Sequence, residues 1–352
     1  MAYKAGVMGA AGYAGVELVR LLANHPDFTL SVITSDSEAG SPLQDTYPAF
    51  FGADVPAFTG HDDPALTECD VVFLAVPHTV SLKYTPKLLA AGVTVVDLSA
   101  DYRLADPAVY EQWYQVPHTS PELLATRAFG LPELFGEELA QAAAKHQAGE
   151  AVLVACAGCY PTATSLAAAP LMRTGLTQGV VLVDAISGVT GAGKKPSART
   201  HFCSANENAE AYGVGKHRHT PEIEQILDAP GRVLFTPHLA PLSRGLLSTV
   251  TMQLSPDAKV SAEWLQSMYE DFYAGQPCVQ VLPQGTLAKT SSVVGTVRAH
   301  VSVVYHETTN CVVALGAIDN LCKGAAGQAV QCANVLFGLN QTQGLPLLGM
   351  AV

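Results

Sequence analysis

A cysteine at a predicted strand-to-helix junction is the residue of this sequence best placed for chemistry. Cys159 lies in Ala157-Gly158-Cys159-Tyr160-Pro161-Thr162, between an apolar strand-like run, 151–155, and a segment rich in Ala and Leu, 162–172, that is typical of a helix. The positive end of a helix dipole lowers the pKa of a thiol and favours the nucleophilic thiolate. We therefore expect Cys159 to be a nucleophile; a buried structural cysteine is the alternative.

A loop with two histidines and an arginine supplies the second group of reactive side chains. Residues 212–222 read Tyr-Gly-Val-Gly-Lys-His-Arg-His-Thr-Pro-Glu, ahead of a predicted helix. A loop histidine can exchange protons near neutral pH, and the arginine offers a cation to an anionic substrate. Structural histidines are the alternative. We expect no metal site, because the His-x-His pair lacks acidic or thiol ligands at a suitable spacing.

Three further loops place polar groups between apolar elements. Residues 99–103 follow a predicted parallel strand, at the edge where such sheets bind ligands, and Arg103 could grip a phosphate or carboxylate; a surface ion pair is the alternative. Residues 187–195 form a glycine-rich basic loop that lacks the spacing of a Walker loop. Residues 236–245 place Arg244 on another strand connection.

The N-terminal segment has the order of elements that a dinucleotide pyrophosphate needs. A predicted strand, 3–8, is followed by Gly9-Ala10-Ala11-Gly12-Tyr13-Ala14-Gly15 and an amphipathic helix to Leu22. This order presents backbone N–H groups at a helix N-terminus. Because the spacing is G-x-x-G-x-x-G rather than G-x-G-x-x-G, a simple tight connection is the alternative. After the next strand, Asp36 favours NAD, whereas Ser35 and Ser37 favour the 2′-phosphate of NADP, so the choice stays open.

The alternation of predicted elements indicates an α/β protein of two domains. Strands at 30–34, 71–76 and 93–98 alternate with helices, which predicts a doubly wound parallel (Rossmann) sheet, and a Pro- and aromatic-rich connection spans 106–135. Beyond Cys159, β-rich runs at 180–186, 233–237, 246–254, 296–305 and 311–318 predict an α+β domain with a mixed or antiparallel sheet. We expect a dinucleotide-binding domain over residues 1–157, completed by the C-terminal helix 322–352, whose periodic part spans 324–337. We expect a catalytic, substrate and oligomerisation domain over 158–321.

Composition excludes several classes of partner. The formal charge of -12, with 19 dispersed Lys and Arg residues, argues against nucleic-acid binding. No apolar run reaches the roughly 18 residues of a membrane span. The eight cysteines are scattered as expected for reduced thiols, and a first strand close to the initiator leaves no room for a signal peptide. We therefore expect a cytoplasmic protein.

A dinucleotide domain, a helix-start cysteine and a loop histidine match one reaction class. A thiolate attacks an acyl phosphate and expels phosphate, hydride from a nicotinamide reduces the thioester to an aldehyde, and the histidine shuttles protons. The sequence resembles the N-acetyl-γ-glutamyl-phosphate reductases of arginine biosynthesis and, more distantly, the aspartate-semialdehyde dehydrogenases. The resemblance rests on residues 9–15, 97–103, 158–162, 187–193, 217–222 and 319–326.

This resemblance implies roles for individual residues. Cys159 is expected to be the nucleophile and His219 the acid/base. We expect a substrate site for a small anionic acyl phosphate that comprises Arg103, Tyr212, His217, Arg218, Glu222 and Arg244. We expect a cofactor site that comprises Gly9, Gly12, Tyr13, Ala14, Gly15, Ser35, Ser37, Pro77, Ser187, Gly188, Asn320 and Gly324. The resemblance also implies NADP and a homo-oligomer, a dimer or a tetramer.

Two departures from the family pattern bear on these expectations. The family often has an arginine near the position of Asp36, so NAD stays possible. It often has Asn-Pro or Val-Pro before Gly-Cys, where this chain has Cys156-Ala157. We hypothesise that Cys156 captures Cys159 in a reversible disulfide under oxidation. The rival functions are an aspartate-semialdehyde dehydrogenase and a non-catalytic dinucleotide-binding sensor.

Overall fold

The chain folds into two compact units. The computed structural model describes residues 2–350. The first unit comprises residues up to 157 together with 325–345, and the second comprises 158–324 together with the segment from 346 onward. The sequence analysis had assigned the whole of 322–352 to the first domain. Residues 322–324 and the segment from 346 onward belong instead to the second unit. At the C-terminus, the Pro346 carbonyl accepts the N–H of Val297 of that unit, 2.9 Å away.

The first unit alternates strands and helices along the chain. Its elements are β1 (Tyr3–Met8), α1 (Tyr13–Leu22), β2 (Phe28–Thr34), α2 (Leu43–Thr46), β3 (Phe58–Thr59), β4 (Val71–Leu74), α3 (Val80–Ala90), β5 (Thr94–Asp97), α4 (Pro107–Tyr114), β6 (Ala128–Gly130), α5 (Gly136–Gln147) and β7 (Leu153–Cys156). The strands form one sheet in the order β3-β2-β1-β4-β5-β7-β6, with parallel pairing throughout. The predicted doubly wound parallel sheet is confirmed.

Three neighbouring strands of this sheet, β4, β5 and β7, are buried along their whole length. Every residue of β4, β5 and β7 is inaccessible to solvent, which explains why these strands are nearly continuous apolar runs rather than alternating ones. The sequence analysis missed α4 and β6 within the connection 106–135. Asp106 caps α4 by accepting the N–H of Ala108 at 2.8 Å. β6 is only three residues long, too short for a periodic signal.

The second unit is built on a mixed sheet. Its elements are α6 (Cys159–Met172), β8 (Thr177–Gly188), α7 (Phe202–Ala205), β9 (Glu210–Ala211), α8 (Thr220–Ile226), β10 (Val233–Ala240), β11 (Leu246–Leu254), α9 (Ala262–Phe272), β12 (Val279–Val281), β13 (Ala299–His306) and β14 (Cys311–Ile318). The strand order is β12-β13-β14-β11-β8-β10-β9, in which β10 with β8 and β12 with β13 pair in parallel. The predicted mixed sheet is confirmed.

Helix α6 is the central element of the second unit. It packs so closely on β14 that a side chain at Gly316 would meet the carbonyl oxygen of Ala163 at 2.3 Å. Pro170 lies inside the helix and offers no N–H to the carbonyl of Leu166, four residues earlier. The hydroxyl of Tyr273, the residue that follows α9, donates to that carbonyl at 2.5 Å and so replaces the missing helix hydrogen bond.

After β14, a π-helical turn, Cys322–Ala326, leads into the last helix, α10 (Gly327–Leu336). The sequence predicted a single helix over 324–337, and its first turn is in fact wider than an α-helix. Helix α10 packs on α5 and α1 in the first unit. Single 3-10 turns complete the secondary structure at Pro48–Phe50, Pro64–Glu68, Pro121–Ala125, Val189–Ala192, Thr290–Ser292 and Glu307–Thr309.

Candidate active site

The glycine turn between β1 and α1 has three glycines with different reasons to be glycine. Gly9 has a left-handed backbone (φ +84°), and a Cβ there would lie 2.4 Å from the carbonyl oxygen of Ala75. At Gly15 a Cβ would lie 2.1 Å from the carbonyl oxygen of Gly9. Gly12 begins α1 as its N-cap, and the nearest atom to a Cβ there is 3.4 Å away. Close backbone contacts therefore require glycine at positions 9 and 15. Gly12 instead leaves space at the start of the helix, which a pyrophosphate needs in order to approach.

The predicted cofactor residues of the first unit lie at the carboxyl ends of three neighbouring strands. Tyr13 and Ala14 begin α1 after β1, Ser35 and Ser37 follow β2, and Pro77 follows β4. A residue that the sequence analysis missed joins them: the hydroxyl of Tyr47 donates to the carbonyl of Ala11 in the glycine turn, at 2.8 Å. Its sequence neighbourhood carries no periodic or motif signal that would have identified it.

The end of β2 presents hydroxyl and carboxylate groups together. The Oγ atoms of Ser35 and Ser37 are 3.2 Å apart, and the Ser37 hydroxyl donates to Glu38 at 3.3 Å. Asp36 is exposed, and its Oδ1 accepts the N–H of His61 at 2.8 Å. Because one oxygen of Asp36 already accepts a hydrogen bond within the protein, the carboxylate has less capacity left to accept one from a ribose hydroxyl.

The loop after β5 is a buried polar network rather than a surface loop. Arg103 is only 8% exposed, and it donates from Nε to the carbonyl of Cys156 at 2.8 Å and from Nη2 to the carbonyl of Leu98 at 2.6 Å. The alternative that Arg103 forms a surface ion pair is therefore wrong. Its guanidinium joins the ends of β5 and β7, because it bonds backbone carbonyls that follow or end these two strands.

Two aspartates lie beside Arg103. The Oδ1 of Asp101 accepts the N–H of Thr79 at 2.8 Å and the hydroxyl of Tyr110 at 2.7 Å. Thr79 has a left-handed backbone (φ 73°), which the bond to Asp101 helps to hold. Asp101 thus positions the loop after β4 that contains Pro77. Burial, with the nearby charge of Asp101, raises the pKa of Asp97 to about 7.

In the second unit, Cys159 is the first residue of α6, with Gly158 as its N-cap, and its side chain is partly exposed. A Cβ on Gly324 would lie 2.7 Å from the Cβ of Cys159, so this glycine of the π-helical turn makes room for the cysteine. Cys156 is buried. The cysteines of residues 2–350 form no disulfide, and a disulfide between Cys156 and Cys159 under oxidation stays a hypothesis.

Aromatic and imidazole rings surround the start of α6. The hydroxyl of Tyr160 donates to the carbonyl of His238 at 3.0 Å, and the hydroxyl of Tyr212 donates to that of Tyr160 at 3.2 Å. The ring of His217 lies 5.6 Å from that of Tyr160 and 5.4 Å from that of Tyr212. Burial raises the pKa of Tyr212 to about 12, so this phenol stays neutral and can donate a hydrogen bond.

The two histidines of the loop before α8 differ in their chemistry. The backbone N–H of His219 donates to Nδ1 of His217 at 3.1 Å, which assigns the ring proton of His217 to Nε2. Burial, with the charge of Arg218, lowers the pKa of His217 to about 4. His217 is therefore a neutral ring near pH 7 and a poor proton donor. His219 forms the N-cap of α8, and Arg218 is exposed to solvent.

A hydrogen-bonded cluster at the end of β14, which we call the joint, comprises Arg244, Asp319 and Asn320. Arg244 pairs with Asp319 through both carboxylate oxygens, at 2.8 and 3.1 Å, and Asp319 also accepts the N–H groups of Leu321 and Cys322. Asn320 accepts the N–H of Gly245 at 2.8 Å and donates to Thr190 at 2.9 Å. The sequence analysis quoted Asp319 in a motif but gave it no role.

Ser187 and Gly188 end β8 beside this joint. Ser187 is buried, and a Cβ on Gly188 would lie 2.7 Å from the carbonyl oxygen of Leu242, so the chain approaches closely there. Among residues 2–350, no group of three or more His, Cys, Asp or Glu side chains is arranged to hold a metal ion. The part of the chain that the structure describes also has no helix long and apolar enough to cross a membrane.

Comparison with known proteins places these features in one class. Residues 4–142 match the family model described as semialdehyde dehydrogenase, NAD binding domain, and residues 159–320 match semialdehyde dehydrogenase, dimerisation domain. Aspartate-semialdehyde dehydrogenase with NADP from Candida albicans has the same fold, with a TM-score of 0.71 at 17% identity over 96% of this chain and 98% of that one. The class is thus that of the semialdehyde dehydrogenases, which are nicotinamide-dependent oxidoreductases.

Full-length relatives identify the family within this class. The chain is 45% identical to N-acetyl-γ-glutamyl-phosphate reductase of Desulforudis audaxviator, over 99% of both chains. It is 44% identical to the enzyme of that name from Nitrosococcus oceani, over 97% of both chains. The chain belongs to the N-acetyl-γ-glutamyl-phosphate reductase family.

Proposed function

We propose that this protein reduces N-acetyl-γ-glutamyl phosphate to N-acetylglutamate semialdehyde and phosphate through a thioester on Cys159. The observation that carries the proposal is the placement of a partly exposed thiol at the first residue of α6, beside the ring of Tyr160 and the loop of His217 and His219. Relatives at 44–45% identity over nearly the full chain carry this activity in their names. The same placement favours a thiolate, because it faces the positive end of the helix dipole.

Two residues of this chain carry out the proposed reaction, Cys159 as the nucleophile and His219 as the proton shuttle. The Cys159 sulfur attacks the acyl carbon, the carbon–oxygen bond to phosphate breaks, and an acyl-enzyme thioester forms. His219 is the proton shuttle, since the depressed pKa of His217 leaves that ring neutral. A nicotinamide, when bound, would supply the hydride that reduces the thioester to the aldehyde. Breakage of the carbon–sulfur bond then returns Cys159 as a thiolate.

We assign the substrate's negative charges to the arginines of the predicted site. Arg218 is exposed in the histidine loop and carries a charge that solvent-borne anions can reach. Arg103 stays a predicted phosphate ligand, although Nε and Nη2 already bond backbone carbonyls. Arg244 stays a prediction of the same kind, with its guanidinium paired to Asp319. Tyr212 supplies a neutral hydroxyl beside the thiol-bearing helix.

The first unit is proposed as the dinucleotide-binding domain, with NADP as the cofactor. The fit rests on the open helix start at Gly12 and on the hydroxyls of Ser35 and Ser37 at the end of β2. A related structure of the same fold is described with NADP. NAD is the alternative, because Asp36 lies between those serines. Asn320 and Gly324 of the second unit are proposed to lie near the nicotinamide.

We propose that the second unit carries out catalysis and also joins subunits of a homo-oligomer. Its sheet exposes an apolar patch, formed by Val180, Leu182, Ile186 and Leu234, each 41–53% exposed. Exposed apolar patches of this kind mark association surfaces in soluble proteins. The match to a dimerisation domain supports the same conclusion. We also propose that the protein works in the reducing cytoplasm, where thiols such as those of Cys69, Cys156, Cys203 and Cys311 stay reduced.

Phosphate-dependent oxidation of N-acetylglutamate semialdehyde tests the proposed function. We expect turnover with NADP, followed at the absorbance of NADPH, and weaker turnover with NAD. Aspartate semialdehyde in the same assay tests the rival dehydrogenase, and higher turnover with it would reverse the substrate assignment. Cys159→Ser should abolish turnover while cofactor binding persists, whereas Cys311→Ser, at a partly exposed thiol of the same unit, should not. Absence of any reactive thiol near neutral pH would support the sensor alternative.

A further inference from the structure

A buried carboxylate from α8 contacts the turn that carries Cys159. Glu222 is 1% exposed, and its Oε1 accepts the backbone N–H of Gly158 at 2.8 Å. Gly158 is the N-cap of α6 and immediately precedes the proposed nucleophile. The bond therefore fixes the backbone at the residue before Cys159.

Helix α6 offers no carboxylate of its own for this N–H. In a capping box, the acidic side chain at the third helical position reaches back to the N–H of the N-cap residue. In α6 that position is Pro161, which has no hydrogen-bonding side chain, and Gly158 provides no side-chain cap either. The N–H of Gly158 is therefore satisfied from another helix, by Glu222.

Helix α8 shows why Glu222 is available. Its N-cap is His219, so Glu222 occupies the third helical position, from which a capping-box glutamate bonds the N-cap N–H. That N–H donates instead to Nδ1 of His217, at 3.1 Å. Because an imidazole takes the donor that Glu222 would bond within its own helix, the carboxylate is directed to the start of α6.

We propose that Glu222 is a positioning residue that fixes the nucleophile and the acid/base relative to each other. It bonds the residue before Cys159, and it lies one helical turn after His219 on the same short helix. This hydrogen bond thus ties the two reacting elements together, a role beyond the substrate site in which the sequence analysis placed Glu222. The inference rests on the proposed function, which names Cys159 and His219 as the reacting groups.

The test compares Glu222→Gln with Glu222→Ala. Glutamine removes the charge but keeps a side-chain oxygen of the same reach, whereas alanine removes both, so the difference between the variants isolates the bond. We expect kcat of the alanine variant to be about 30-fold below that of the glutamine variant, since a small displacement of reacting groups is costly. The KM for NADP should agree within about 2-fold between them, because the bond touches no proposed cofactor residue.

Alkylation of Cys159 by iodoacetamide, followed by intact mass, gives a second readout that needs no substrate. It should be at least about 3-fold slower in the alanine than in the glutamine variant, because the thiol leaves the helix start. Glu224→Gln and Glu224→Ala, in the same helix, are the matched controls and should equal the wild type. If Glu222→Ala does not fold, Glu222→Asp, one methylene shorter, replaces it with the same expected direction.

The proposal would be overturned if Glu222→Gln and Glu222→Ala had equal kcat values and equal rates of alkylation. A loss confined to thermal stability would overturn it as well, since it would show a purely structural role. If the wild type fails to turn over N-acetylglutamate semialdehyde but the alkylation rates differ as expected, the proposed function fails and the positioning role of Glu222 stands.

Discussion

The two units hold their functional loops with buried aspartates that have different partners. In the second unit, Asp319 faces the guanidinium of Arg244 and several backbone N–H groups. In the first unit, Asp101 is bonded by a backbone N–H and a phenol, and it lies close enough to Asp97 to raise the pKa of that carboxyl. The same residue type thus forms a bidentate ion pair in one unit and, in the other, a pair of carboxylates whose hydrogen-bond donors are neutral.

The difference shows how each loop is held. Arg244 and Asp319 connect the strand ends through an ion pair, and the π-helical turn that follows places Gly324 against Cys159. Arg103, whose charge acts on Asp97, donates to the backbone carbonyls of Cys156 and Leu98. The joint beside the thiol is therefore held by a bidentate ion pair, whereas the loops after β4 and β5 of the first unit are held by neutral donors.

Removal of the Asp319 carboxylate should have the largest effect on stability. Asp319→Ala leaves the guanidinium of Arg244 and three backbone N–H groups without their acceptor. We expect the free energy of unfolding to fall by about 3–5 kcal/mol, as for other broken buried ion pairs. Urea denaturation measures it, with the exposed Asp257→Ala as the control. A loss equal to that of the control would show that the ion pair does not hold this unit together.

A methyl group at Gly324 should affect catalysis more than folding. In Gly324→Ala the new Cβ would lie 2.7 Å from the Cβ of Cys159, so either the cysteine or the π-helical turn must move. We expect kcat to fall by about 100-fold, because the nucleophile is displaced. Gly136→Ala is the control, since a Cβ there meets no atom within 4 Å. An unchanged kcat would mean that Cys159 tolerates this displacement.

The neutral donors around Asp101 should contribute less than the ion pair around Asp319. Tyr110→Phe removes a hydroxyl that donates to the Asp101 carboxylate at 2.7 Å. The expected cost is about 2 kcal/mol, typical of a hydrogen bond to a charged group. Tyr305→Phe removes a hydroxyl bonded to an amide oxygen at 3.2 Å and serves as the control in urea denaturation. If both variants lost the same free energy of unfolding, the hydrogen bond to Asp101 would be no more stabilising than one to an amide oxygen.

Protonation of Asp97 makes the free energy of unfolding depend on pH. The pKa of Asp97 rises from 3.8 in a model peptide to about 7 through burial and the charge of Asp101. Between these values the folded chain retains a proton that the unfolded chain has lost, so the free energy of unfolding falls as pH rises from about 4 to about 7, then levels off. Asp97→Asn should remove this slope and stabilise the chain by about 1 kcal/mol at pH 8.

Urea denaturation at pH 5 and pH 8 measures the slope, and the exposed Asp54→Asn should retain it. If Asp97→Asn kept the slope of the wild type, another group would be responsible for the pH dependence.

Much of the architecture could be predicted from local patterns. Three strands, β1, β11 and β14, have the bounds that their apolar runs predicted, because continuous or alternating apolar residues reflect burial directly. The strand β6 could not be predicted, since three residues carry no periodicity and their pairing with β7 depends on the rest of the sheet. The π-helical turn at Cys322–Ala326 was missed for a related reason: its small residues resemble an ordinary helix start.

The sequence by itself determined the family, the glycine turn and the place of Cys159 at the start of a helix, because motifs and helix starts are encoded by residues close together in the chain. Only the tertiary structure decided which histidine stays neutral, because the pKa of His217 depends on burial. It also decided that Glu222 bonds Gly158 and that Arg244 bonds Asp319. These partners are 64 and 75 positions apart, and no local pattern specifies a contact across such a separation.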